Sequence, residues 1–133
     1  MGFNNMKHTI KTIILLVGSL LMYNSAMAAN WMLIGSDDES SAYLDIESIK
    51  KENNKVKFWM KQEYKKIKDT AGIKHKTILY YSLIDCMEKT LGSTKQVVYD
   101  SDGKVVFSKN YPIDMVPIVP DSIGEFVFKQ QCK

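Results

Sequence analysis

The chain has 133 residues and a formal net charge of +3, which suits one domain with a limited core. All 18 basic residues are lysine; without arginine, bidentate recognition of phosphates or base edges is disfavoured, and nucleic acid is not expected as a partner. No internal repeat, low-complexity tract or linker divides the chain, which excludes repeat and multidomain architectures.

Lys7 and Lys11 precede an apolar run from Thr12 to Met22, and Ala26-Met27-Ala28 follows, with Ala29 next. A charged start, an apolar middle and small residues at the two positions a signal peptidase reads make a secretory signal. The run is shorter than the roughly 18 to 20 residues that span a bilayer. Cleavage after Ala28 is therefore expected, leaving a domain over residues 29–133 with no stable membrane anchor. No cysteine follows the apolar run to take a lipid, so a periplasmic or secreted protein is expected, with the cell surface a further destination. The two cysteines, Cys86 and Cys132, both fall in that domain. In an oxidising compartment such a pair reads as a disulfide, and its spacing matches no zinc or redox motif.

Short apolar runs at Trp31 to Ile34 and Ala42 to Leu44 predict two strands, with Gly35 to Ser41 as a polar, acidic loop between them. Asp45 to Ile49 predicts a turn. From Lys55 to Lys65 the chain alternates, with Val56, Phe58, Met60 and Tyr64 on one parity and Lys57, Lys61, Glu63 and Lys65 on the other; period two predicts a strand. His75 to Met87 carries apolar residues on both parities, which predicts a central strand covered on both faces. Val97 to Tyr99 and Val105 to Phe107 flank Asp100-Ser101-Asp102-Gly103 and predict a hairpin. Pro112, Pro117 and Pro120 predict an extended loop.

Ser122 followed by Glu125 has the form of a capping box and predicts a terminal helix. On it Ile123, Gly124, Val127, Phe128 and Cys132 share a broad face, with Lys129 and Lys133 towards solvent. Cys86 shares the parity of Ile78, Tyr80, Ser82 and Ile84, so a Cys86–Cys132 bridge lays the helix across that side of the sheet. The fold class expected is α+β: a single antiparallel β-sheet of about six strands, with a C-terminal helix packed on one face and tied by a disulfide.

Trp31, Tyr43-Leu44-Asp45 with Ser48-Ile49, Val56-Lys57-Phe58-Trp59 running to Tyr64, Ile84-Asp85-Cys86, Pro120-Asp121-Ser122 and Cys132 together resemble the surface-adhesin protein E family. The resemblance covers nearly the whole of residues 29–133. It implies the same sheet-and-helix fold tied by the cysteines, a role in adhesion to host extracellular-matrix proteins, and a homodimer.

Charge is unevenly distributed. Between Lys50 and Lys76 ten lysines face three acids, a local net charge of +7, while the rest of the mature chain carries −6. A basic hairpin of this kind concentrates anionic glycans or acidic protein surfaces; a solvated, lysine-guarded edge has the same composition. The candidate binding patch is Lys57, Trp59, Lys61, Lys65, Lys66, Lys68, Lys74, His75 and Lys76. Trp59 lies on the polar parity of its strand, as an interface anchor or packed beneath another element. His75 is expected to be a solvated residue at a loop edge.

A single histidine in the mature chain leaves no two-histidine metal site, and Asp37, Asp38 and Glu39 lack calcium-loop spacing. The carboxylate pairs Asp45/Glu47 and Asp100/Asp102 fall in turns, and no nucleophile-elbow motif occurs. The expectation is a non-catalytic binding domain without metal or cofactor. The alternative is a periplasmic small-ligand-binding or envelope accessory protein with a pocket between helix and sheet.

Overall fold

The computed structural model describes residues 29–133; the signal peptide expected over residues 1–28 lies outside the described residues. Eight strands are present: β1 (Trp31–Ser36), β2 (Ser40–Asp45), β3 (Lys50–Glu52), β4 (Lys55–Thr70), β5 (Ile73–Asp85), β6 (Thr90–Tyr99), β7 (Val105–Asn110) and β8 (Val116–Pro117), followed by helix α1 (Ile123–Gln131). They form one antiparallel sheet in the order β1-β2-β4-β5-β6-β7, with β3 also paired to β4 and β8 to β6.

The expectation of about six strands is thus corrected to eight, and the physical reason is that two lanes are interrupted. Ser40 to Leu44 pairs with Tyr64 to Met60, and Lys50 to Glu52 pairs with Lys57 to Lys55 further along the same side of β4. A short 3₁₀ turn at Ile46–Ser48 separates the two, and the Asp45 carboxylate accepts from the Glu47 N–H. On the other flank β7 and β8 share β6. Pro117 thereby sits in a two-residue strand within the stretch expected to be loop, at an edge position where its missing N–H costs no ladder bond.

Alternation also reaches further than the short apolar runs suggest. β1 and β2 leave only Asp37, Asp38 and Glu39 as the acidic loop, closed by the Asp37 carboxylate accepting from the Glu39 and Ser40 N–H groups, both at 2.8 Å. β4 and β5 meet at a two-residue turn in which Ala71 and Gly72 have φ of +52° and +83°. Both central residues at positive φ define the type I′ turn whose twist suits a hairpin.

The core lies on one face. Leu44, Val56, Phe58, Ile84 and Val127 are fully buried, with Ile34, Met60, Leu91, Phe128 and the two cysteines packed around them. The pairings Val56↔Ile84 and Met60↔Leu44 align these side chains across three strands, and Val127 descends onto them from α1. The Ser122 hydroxyl accepts from the Glu125 N–H at 3.1 Å, giving the hydroxyl half of the capping box. The Glu125 carboxylate instead receives Lys129 at 2.8 Å, one turn on, which holds Glu125 below the usual carboxylate range. A Cβ at Gly124 would stand 2.9 Å from Leu91 Cδ2, so glycine lets the first turn approach β6 closely. The other end is tied by the Cys86–Cys132 disulfide, with 5.5 Å between Cα atoms.

Closing a loop of sequence separation 46 stabilises the fold by about 4 kcal/mol in the chain-entropy account. The double substitution Cys86→Ser/Cys132→Ser should lower unfolding stability by that amount in a urea titration. Phe58→Ala, which empties the centre of the core, should cost about 3–5 kcal/mol in the same measurement.

Candidate functional site

Because successive side chains on a strand point to opposite faces, burying Val56 and Phe58 under α1 sends Lys55, Lys57, Trp59, Lys61 and Glu63 to the other side. Helix α1 does not cover that side; the Asp114–Met115 segment reaches it at Gly92, where an added Cβ would stand 2.8 Å from Asp114 O and 2.9 Å from Met115 Sδ. Register places Leu83 opposite Lys57, Tyr81 opposite Trp59 and Leu79 opposite Lys61 on β5. On β2, Tyr43 lies opposite Lys61, and Leu33 of β1 lies opposite Tyr43. Lys95 of β6 faces Tyr81.

The open face is organised around two aromatic groups. Trp59 and Tyr81 pack with ring centroids 5.1 Å apart and planes tilted by 44°. The Lys61 Nζ lies 4.8 Å from the Trp31 ring centroid and 4.5 Å from that of Tyr43, so one ammonium is held between two π-faces. It also approaches Glu63 at 3.7 Å. Both tryptophans of the chain are therefore on this face, half-buried beside lysines.

At one end of the face Lys50 stands directly opposite Lys57. A shallow cavity of about 310 Å³ is lined there by Lys50, Glu52, Asn53, Lys55, Lys57 and Tyr81.

The candidate patch read from the sequence is spread over two places. Lys57, Trp59 and Lys61 lie on the open face. Lys65, Lys66, Lys68, Lys74, His75 and Lys76 lie on the far arm of the β4–β5 hairpin; Lys57 and Lys66 are about 30 Å apart at strand rise. Two of the far lysines are occupied by the acidic loop: Lys65 Nζ donates to the Asp37 carbonyl, and Lys68 pairs with Glu39 at 3.5 Å.

His75 is buried, at 6% exposure, and not solvated as its lysine-rich surroundings suggest. The β4–β5 ladder breaks register between Glu63 and Lys68; beyond the break the His75 ring meets Tyr64 edge-on at 5.7 Å, and its Nδ1 is 3.1 Å from the Ile73 carbonyl. His75 there joins Ile78, Val98, Phe107, Gln96 and Tyr111 around a cavity of about 290 Å³. Nearby, burial pushes the Tyr80 phenol above its ordinary range.

Trp31, Tyr43, Tyr81, Lys50, Lys55 and Lys95 were not singled out as site residues from the sequence. The parity of Lys55 with Lys57 and Trp59 was a usable signal; the others join only through strand register. Among the described residues no group of three His, Cys, Asp or Glu side chains is placed to hold a metal ion, and no helix is long and apolar enough to cross a membrane.

The sequence pattern of the family described as surface-adhesin protein E matches residues 31–133. The chain belongs to this family. Its fold agrees: the selenomethionine form of Haemophilus influenzae protein E superposes with a TM-score of 0.56 at 16% identity, covering 80% of this chain and 92% of that one. Protein E from non-typeable Haemophilus influenzae gives a TM-score of 0.54 at 16% identity, covering 80% and 78%. No curated protein is significantly similar in sequence. Membership of the surface-adhesin protein E family implies a binding protein rather than an enzyme, and the family is one of surface proteins.

Placing both tryptophans beside lysines gives a direct optical test. Iodide should quench the native tryptophan fluorescence more strongly than caesium at low ionic strength, and the difference should shrink as salt screens the lysines. Lys57→Glu/Lys61→Glu should reverse the order of the two quenchers.

Proposed function

We propose that this chain is an exported, non-catalytic adhesin-like domain that binds host extracellular-matrix material, protein or anionic polymer, through the open face of its sheet. The reading takes the amino-terminal segment as a signal cleaved after Ala28, which delivers the domain to the periplasm or beyond. One observation carries it: α1 closes a single face, and the opposite face holds Trp31, Tyr43, Trp59 and Tyr81 interleaved with Lys57 and Lys61. Large rigid aromatics concentrate binding energy at interfaces, and surrounding lysines raise the encounter rate with anionic partners.

The far arm of the hairpin is secondary in this reading. Its Lys65 and Lys68 are engaged by the Asp37–Glu39 loop, and Lys66, Lys74 and Lys76 take no part in the contact. Self-association belongs elsewhere, at β7, the outermost strand on its side of the sheet. All six of its residues are exposed, Val105, Val106 and Phe107 among them. An apolar unpaired edge is a template for a second strand.

A small-ligand role is the second reading, and a cavity beside His75, lined by sheet and turn residues and by none from α1, supports it, since Ile78, Val98 and Phe107 supply an apolar lining with Gln96 and Tyr111 at its polar margin. Ligand retained through purification and seen by native mass spectrometry would favour this role over adhesion.

The adhesive reading is tested by binding of the mature protein to immobilised basement-membrane extract. Trp59→Ala should weaken binding by about tenfold or more while leaving the thermal midpoint nearly unchanged; equal binding by wild type and variant would count against the open face. Homodimers, where present in sedimentation velocity, should be lost in Val106→Glu/Phe107→Glu.

A further inference from the structure

The lysine-rich end of the open face contains an electrostatic conflict that the fold leaves unresolved. Lys50 and Lys57 are direct cross-strand partners, and like charges in that relation destabilise a sheet. Neither ammonium forms an ion pair among the described residues, where the pairs are Lys61–Glu63, Lys68–Glu39 and Lys129–Glu125. Lys55, two residues before Lys57, points to the same face. Its neighbour across β5, Asp85, spends a carboxylate oxygen on the Met87 and Glu88 N–H groups at 3.0 and 3.1 Å. Glu52, the partner of Lys55 on β3, is the single acid lining the cavity that the three lysines surround, and it forms no ion pair with any of them.

The residues beyond that cavity follow a regular order. Along one side of β4 the side chains run Lys55, Lys57, Trp59, Lys61, over about 20 Å at strand rise. Tyr81 borders the cavity and packs on Trp59, so the aromatic pair lies between the lysine cluster and Lys61. The result is a line of cations interrupted by a ring platform.

We infer that this line is a binding track for a sulfated linear polysaccharide, with sulfate groups seated at Lys50, Lys55 and Lys57 and a sugar ring stacked on Trp59 and Tyr81. The inference rests on the adhesive reading above and names its ligand chemistry. Two features select a sulfated glycan. The cations are spaced along a strand, which suits a ligand with charges repeated along a line. The aromatic pair between them suits the apolar faces of sugar rings, which an acidic peptide lacks.

The test uses the mature protein with a heparin-derived tetrasaccharide, its chemically desulfated form, and polyglutamate of equal charge. Wild type should bind the sulfated tetrasaccharide, shift the Trp59 indole resonance on binding, and fail to bind the desulfated form. Lys50→Gln/Lys55→Gln/Lys57→Gln should weaken binding at least tenfold and reduce the slope of log affinity against log salt by about 2 to 3. Lys66→Gln/Lys74→Gln/Lys76→Gln removes the same charge from the far arm and should leave both nearly unchanged. Equal loss in the two triple variants, equal competition by polyglutamate, or no binding of the tetrasaccharide each overturns the inference. Failure of the two readings is distinguishable: Trp59-dependent binding to matrix extract stripped enzymatically of sulfated polysaccharide, with no binding of the tetrasaccharide, sinks the glycan track and leaves the adhesive face standing.

Discussion

A covalent tie between Cys86 and Cys132 is the constraint on which this architecture depends. A nine-residue helix is too short to persist alone in water, and α1 (Ile123–Gln131) has few partners beyond the patch where Val127 meets Leu44, Val56, Phe58 and Ile84. The disulfide anchors its last turn beside the end of β5, while Gly124 allows the first turn to settle against Leu91. Between those two points Val127 has one place to go. The core is small, so the link that keeps helix and sheet together acts on the whole domain.

One helix can cover only one face of a sheet, and the functional character follows from that asymmetry. On β4 the same alternation that buries Val56 and Phe58 turns Lys57, Trp59 and Lys61 to the other face. Substitutions on the two parities therefore act on different properties: one set on folding, the other on the open face. The side away from the helix is not a bare polar surface. Lys61 lies over Trp31 and Tyr43, and Trp59 packs on Tyr81, so its aromatics are held in place before any partner arrives. Such ordering reduces the conformational entropy that association would otherwise cost.

Charge follows the same division of labour. The acidic Asp37–Glu39 loop reaches Lys65 and Lys68 and satisfies them locally. At the opposite end Lys50 faces Lys57 and Lys55 faces Glu52, and none of the three lysines forms an ion pair among the described residues. Two groups of lysines that look alike as letters thus differ in electrostatic state.

Much of the fold was legible in local pattern. Period-two alternation through Lys55 to Lys65, apolar residues on both parities of His75 to Met87, Ser122 ahead of a helical face, and an even pair of cysteines each report a short-range rule. Together they specified an antiparallel sheet, a terminal helix and the side on which that helix lies. The two extra strands were hidden because Lys50–Glu52 and Val116–Pro117 are too short to show a period of their own, and exist only as pairings to β4 and β6.

The site was legible in part, for a related reason. Parity alone put Lys57, Trp59 and Lys61 together, since neighbours two apart on a strand share a face wherever the strand lies. Register decides which residues join them from other strands, and it is set by contacts distant in sequence. That is how Trp31 and Tyr43 come to flank Lys61, and how Lys50 comes to oppose Lys57. A break in register between Glu63 and Lys68 then buried His75 and separated the far lysines from the near ones. What the chain determined by itself was the face each segment offers; tertiary structure alone decided which faces meet, because cross-strand pairing is a non-local choice that local periodicity does not encode.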